Sequence, residues 1–184
     1  MSFEKLLILH CSPTLASIKT ANLFSFHYEK DEDLDACLNY WNHQMQAKGI
    51  CLAIMRNRNK KALIYVYRES ELKRILKNDS IRMFLDKYGY DGLDLGSSIE
   101  RLQGRLMEQE GFPHEIGIFL GYPLEDVVGF IHNEGKNFLL SGLWKVYGNL
   151  EETRKTFGRL KKCTDVYMRM WNNGKSIQQL TVAA

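Results

Sequence analysis

Leu6-Leu7-Ile8-Leu9-His10-Cys11-Ser12-Pro13-Thr14-Leu15 is an apolar run that stops at a cysteine. Behind the cysteine, Ser12-Pro13 supplies a cap followed by proline, the pair that suits the opening positions of a helix. Leu15, Ile18, Leu23 and Phe24, with Ala16 and Ala21, continue at helical spacing, so residues 14–24 are read as a helix that begins directly behind Cys11. A thiol at the positive end of a helix is favoured as thiolate, the form that acts as a nucleophile. The rest of the chain would then have to bring Cys11 a base.

The chain has 184 residues, enough to bury one good core, and a single domain over 1–184 is expected. Its 45% hydrophobic and 26% charged residues are globular values that exclude disorder and long coiled coils. A net charge of +3 arises from basic and acidic residues mixed along the chain, which argues against nucleic acid as a partner. The local exception, Arg56-Asn57-Arg58-Asn59-Lys60-Lys61, has no interleaved aromatics and reads as a solvated turn or a dock for an acidic partner. Cys11, Cys37, Cys51 and Cys163 form no Cys-x-x-Cys pair, the usage of a reducing compartment. The apolar stretch ahead of Cys11 is too short for a signal-peptide core or a membrane span, so a cytoplasmic protein without membrane attachment is expected.

Asp33 to Lys48 reads as a helix, with Leu34, Leu38, Trp41 and Met45 on one face and Gly49 as its stop. Ile50 to Met55 and Ala62 to Tyr67 read as a hairpin. Short helices are expected over Glu69 to Lys77 and Ser80 to Tyr88, then a break at Gly89 to Gly96. A further helix over Ser97 to Glu110 carries a Ser97/Glu100 capping-box signature. His114 to Leu120 reads as a strand started by Pro113, Pro123 to about Asn133 as a helix, Phe138 to Tyr147 as a strand and Leu150 to Asn173 as a long helix. The tail from Lys175 to Ala184 is expected to fray. The fold class is α+β, helices packed on a small antiparallel sheet.

The base that fits Cys11 is His114, held by rigid backbone behind Pro113. A cysteine at an N-terminal helix start and a histidine at the start of a later strand follow the chain order of papain-like cysteine proteases. A third group should orient the imidazole. Asp126, in the turn after the His114 strand, is favoured; Asn149 is the alternative, with capping of the last helix as its structural role. His10 neighbours the nucleophile and is a candidate contributor to an oxyanion site. A zinc site from His10, Cys11 and His114 lacks a compact ligand-pair motif, and neither metal nor cofactor is expected.

The segments Cys11 to Phe24, His114-Glu115-Ile116-Gly117-Ile118-Phe119-Leu120-Gly121-Tyr122-Pro123-Leu124-Glu125-Asp126-Val127 and Trp144-Lys145-Val146-Tyr147-Gly148 resemble a family catalogued as a domain of unknown function in anaerobic spore-forming bacteria. That resemblance extends to a cysteine-protease homologue that forms amide bonds in the assembly of closthioamide, a polythioamide natural product. It implies a papain-like acyltransferase in which Cys11 takes an acyl group from a carrier-protein phosphopantetheine thioester and passes it to an amine acceptor. His114 would serve as general base and acid, oriented by Asp126. The alternatives are a thiol hydrolase or peptidase of the same fold and a non-enzymatic binding or regulatory domain.

Overall fold

The computed structural model describes residues 1–92, 94–108 and 111–183. The apolar run that opens the chain is helical from before its first leucine: α1 spans Phe3–Leu15. Four apolar residues in a row suit a strand or a buried helix equally, and the residues ahead of them decide. Ser2 accepts the Lys5 N–H at 3.3 Å as N-cap, and Glu4 sits in the positively polarised first turn. Phe3, Leu7, Ile8, Cys11 and Leu15 then form one buried stripe. Cys11 therefore lies inside a helix, near its end, and the helix expected over residues 14–24 is replaced by a turn and strand β1 (Ala21–His27). Pro13 falls within the last turn of α1, where it leaves the Leu9 carbonyl without an N–H partner; Leu9 is 39% exposed, so water is at hand.

The chain comprises two compact units, Met1–Leu72 with Cys163–Ala184, and Lys73–Lys162. In the first, β1, β2 (Ile50–Arg58) and β3 (Lys61–Arg68) form an antiparallel sheet in the order β1-β3-β2. The expected hairpin is β2–β3, and the basic run lies mostly in its strands. Only Asn59 and Lys60 turn, both at positive φ (52° and 57°), as a tight hairpin requires. Helix α2 (Asp31–Met45) buries Leu34, Leu38, Trp41 and Met45 as their spacing predicts, and Gly49 closes the following 3-10 turn at φ 70°. Phe24, Ile64, Val66 and Leu52 present one sheet face to these helices.

Arg68 ties this unit together. It is 1% exposed, and its guanidinium donates to the carbonyls of Thr14 (2.7 Å), Leu15 (2.8 Å) and Val182 (2.7 Å). A cation thus meets the negative end of α1 and the chain's last residues at one point. The tail is correspondingly ordered: Ser176 and Gln179 form a reciprocal capping box for α9 (Ile177–Leu180), whose two terminal residues are buried.

The second unit continues the chain with α3 (Glu69–Leu76), which begins just before the dividing line, then α4 (Asp79–Asp86), α5 (Leu95–Glu108), α6 (Ile116–Phe119) and α7 (Leu124–His132). Strands β4 (Leu140–Ser141) and β5 (Lys145–Val146) make a minimal antiparallel hairpin, and α8 (Leu150–Asn172) leads back to the first unit. Helix α5 starts earlier than expected because Asp94, accepting the Ser97 N–H at 2.8 Å, caps it in place of Ser97. The last two positions of the expected helix, 109 and 110, lie outside the described residues. The expected strand over His114 to Leu120 is corrected to a turn and the short α6. Ile116 N–H donates to Pro113 and Ile118 N–H to Glu115, the i to i+3 pattern of a tight turn. Residues 115 to 120 are all buried, so a continuous apolar run carried no period that would separate helix from strand. The architecture is α+β, helices packed on small antiparallel sheets.

Candidate functional site

Cys11, the expected nucleophile, is fully buried among Leu7, Ile8, Leu15 and the other core side chains of the first unit. Burial pushes its thiol well above the ordinary cysteine value, and the nearby Lys19 amine opposes that shift only in part. Lys19, half-buried as a residue, is itself pulled down to about 7 by burial. Its amine donates to the Ala21 carbonyl. Neither helix-start geometry nor a freed backbone N–H is present at Cys11, because the helix runs through it. His10 is exposed and stacks flat on Phe24, ring centroids 5.9 Å apart, and partial burial there lowers its pKa.

His114, Asp126 and Asn149 belong to the second unit, and the structure gives each a separate task. Asp126, in the first turn of α7, is 2% exposed. One carboxylate oxygen accepts the Trp144 indole N–H at 2.7 Å; the other accepts the backbone N–H groups of Tyr147 (2.7 Å) and Gly148 (2.9 Å). All these bonds run to the β4–β5 hairpin and its exit, and none to His114. Asp126 is a clasp between helix and hairpin. Asn149 caps α8, its side-chain oxygen accepting the Glu152 N–H at 3.1 Å. His114 is exposed and lays its ring edge-on to Phe130 at 5.0 Å. The next residue, Glu115, is fully buried, paired with Arg105 and reached by the Tyr90 hydroxyl at 3.4 Å, so the backbone at His114 is firmly anchored.

The elements that carry His114 and Asp126 enclose a cavity of about 370 Å³, within the size range of small-molecule sites. Its walls include four aromatic side chains, Phe112, Tyr122, Phe130 and Trp144. Trp144 stacks on Tyr122 at 4.6 Å and stands perpendicular to Phe157 at 4.5 Å. Small residues permit this packing. A Cβ on Gly142 would lie 2.3 Å from the Phe157 ring, and one on Gly117 2.7 Å from Val127. Lys145 also lines the cavity; its ammonium donates to the Gly135 carbonyl at 2.7 Å and lies over the rings of Phe130 (5.7 Å) and Phe138 (4.9 Å). Sequence reasoning missed Tyr122, Phe130, Trp144 and Lys145 as a set. The available signal was the density of aromatic residues flanking Gly121, Gly135 and Gly142, which a continuous Phe138 to Tyr147 strand would have spread over two faces.

No group of three His, Cys, Asp or Glu side chains among the described residues is placed to hold a metal. No helix among them is long and apolar enough to cross a membrane. No curated protein and no solved structure matches the chain. A family model described as "Protein of unknown function (DUF3793)" matches residues 7–181, nearly the whole length, and the chain belongs to that family.

Proposed function

We propose that this chain is a ligand-binding module and that the aromatic-walled cavity of its second unit takes a small, largely apolar molecule. The observation that carries this reading is the cavity itself: ring walls locked by mutual stacking, with the one carboxylate among its lining residues already saturated by the hairpin. A preformed site of this kind binds by shape and apolar burial; His114 lines it as well, but Asp126, the carboxylate beside it, is spent on the hairpin and does not orient its ring as a general base. The test is a titration with a panel of bicyclic aromatic fragments followed by the indole N–H resonances of the three tryptophans. A saturable shift of Trp144 with Trp41 and Trp171 unmoved is expected. If no fragment moves Trp144 ahead of the other two, the reading is wrong.

A second reading, acyl transfer through Cys11 within a papain-like architecture, has one observation in its favour: the Lys19 amine close enough to lower the thiol's pKa. It rests otherwise on the resemblance to the amide-forming closthioamide enzyme, with carrier-protein thioester as donor and an amine as acceptor. It requires Cys11 to become uncovered and ionised, against the burial that holds it neutral. Incubation with an acyl-loaded carrier protein and intact-mass measurement decides between the two. The binding reading expects no adduct; an acyl adduct that vanishes in Cys11→Ala would replace it with acyl transfer.

A further inference from the structure

Resting on the binding reading, the geometry points to a more specific ligand: we infer that the cavity takes a flat aromatic carboxylate, its carboxylate held by Lys145 and Ser141. These two residues face each other across the β4–β5 ladder, so their side chains share one face, and both line the cavity. The Lys145 ammonium spends one hydrogen on the Gly135 carbonyl and makes no ion pair among the described residues. Opposite it, the Ser141 hydroxyl has no protein partner among them. Two donors are thus available on one face of the β4–β5 ladder, with His114 the further polar side chain of the lining, and the only carboxylate there, Asp126, is fully engaged elsewhere.

The sign of the ligand charge follows. A cationic ligand would meet Lys145 with no free acid to receive it, and a neutral one would leave the ammonium partly desolvated without a counter-charge. A doubly charged phosphate calls for a denser donor set than one ammonium, one hydroxyl and one imidazole, typically an Arg fork or a row of backbone N–H groups, and the lining has no arginine. A carboxylate matches the two donors in number. The Tyr122–Trp144 stack and the Phe130 face supply the flat apolar walls for its ring system.

The experiment compares 2-naphthoate with its neutral isostere 2-naphthamide on the whole chain, reading the Trp144 indole resonance. Naphthoate should bind about tenfold more tightly, the size of one charge-assisted contact, and the margin should shrink as salt is raised. Lys145→Met should bring the two ligands to within about twofold by weakening naphthoate alone, while Lys145→Arg keeps the preference. Ser141→Ala, an exposed change that leaves the fold intact, should lower naphthoate affinity and spare naphthamide. Equal binding of both ligands, or a preference that survives Lys145→Met, overturns the carboxylate inference and leaves the binding reading standing. Failure of both ligands, with every other fragment, overturns both. Should Lys145→Met not fold, Ser141→Ala and the salt series on the unsubstituted protein decide.

Discussion

At the scale of single residues, Asp126 shows how a side chain with the credentials of a catalytic group can be wholly occupied by architecture. Its two oxygens face three N–H donors and no acceptor. Asp126→Asn keeps the shape but puts an NH₂ against either the Trp144 indole or the two backbone amides, so at least one donor is left confronting another. Loss of roughly 2–4 kcal/mol is expected, the range for stranding buried partners of a charged group. Urea unfolding checks the magnitude, and the Trp144 indole resonance should move toward its unbonded position in the same variant. A change below about 0.5 kcal/mol, the range of ordinary surface substitutions, would mean that the clasp does not hold the hairpin. Asn149 makes the complementary point: its capping role was legible from its place just ahead of the α8 periodicity, because capping needs only local sequence. Orientation of a histidine needs tertiary geometry, which local sequence does not carry.

At the scale of elements, those with their own punctuation were legible and those without were not. Helices α2, α7 and α8 have acidic starts, a glycine stop or a proline opening, the β2–β3 hairpin has a polar turn between two apolar runs, and each lies close to its expected bounds. Helix α1 was misread because its stripe begins at Phe3, ahead of the leucines that drew attention, and because Ser12-Pro13 imitates a helix start while sitting at a helix end. Helix α6 was misread because an apolar segment buried on all sides has no amphipathic period. The packing of α7 against the hairpin gives a matched test. Gly129 lies inside α7, where alanine would ordinarily stabilise by about 0.5–1 kcal/mol. There, however, a Cβ would stand 2.4 Å from the Tyr147 Cβ and 2.5 Å from its Cγ, atoms at the root of a side chain that cannot swing away. The clash, typically 1–3 kcal/mol, outweighs the propensity gain, so Gly129→Ala should destabilise. Gly158, in α8, has open space for 4 Å around the place a methyl group would take, so it should respond oppositely. Gly158→Ala should stabilise by about 0.5–1 kcal/mol. A thermal midpoint that rises for Gly129→Ala as it does for Gly158→Ala would refute the close α7–hairpin contact.

At the scale of the whole molecule, the first unit is completed by residues from both ends of the sequence, since Met1–Leu72 and Cys163–Ala184 cluster together. The closing contact is made by the tail that the sequence led one to expect would fray. Val182 donates its N–H to the Leu15 carbonyl at 2.9 Å and accepts from Arg68 at 2.7 Å, so the last stretch of backbone bridges the end of α1 and the buried guanidinium. Ile177 and Leu180, 2% and 4% exposed, enter the same core as Cys11. Ending the chain at Ser176 would uncover that core and leave Arg68 short of one acceptor. Two buried aliphatic side chains contribute about 1.5–3 kcal/mol each, and the stranded charged donor adds to the loss. A total of roughly 4 kcal/mol is a large share of the 5–15 kcal/mol that holds a typical domain together. Truncation after Ser176 should therefore lower the urea midpoint sharply or prevent folding, whereas a chain ending at Val182 should match the full protein. A truncated chain with an unchanged midpoint would show that Arg68 and the tail do not close the first unit, and that its stability resides in the sheet and in α1 and α2 alone.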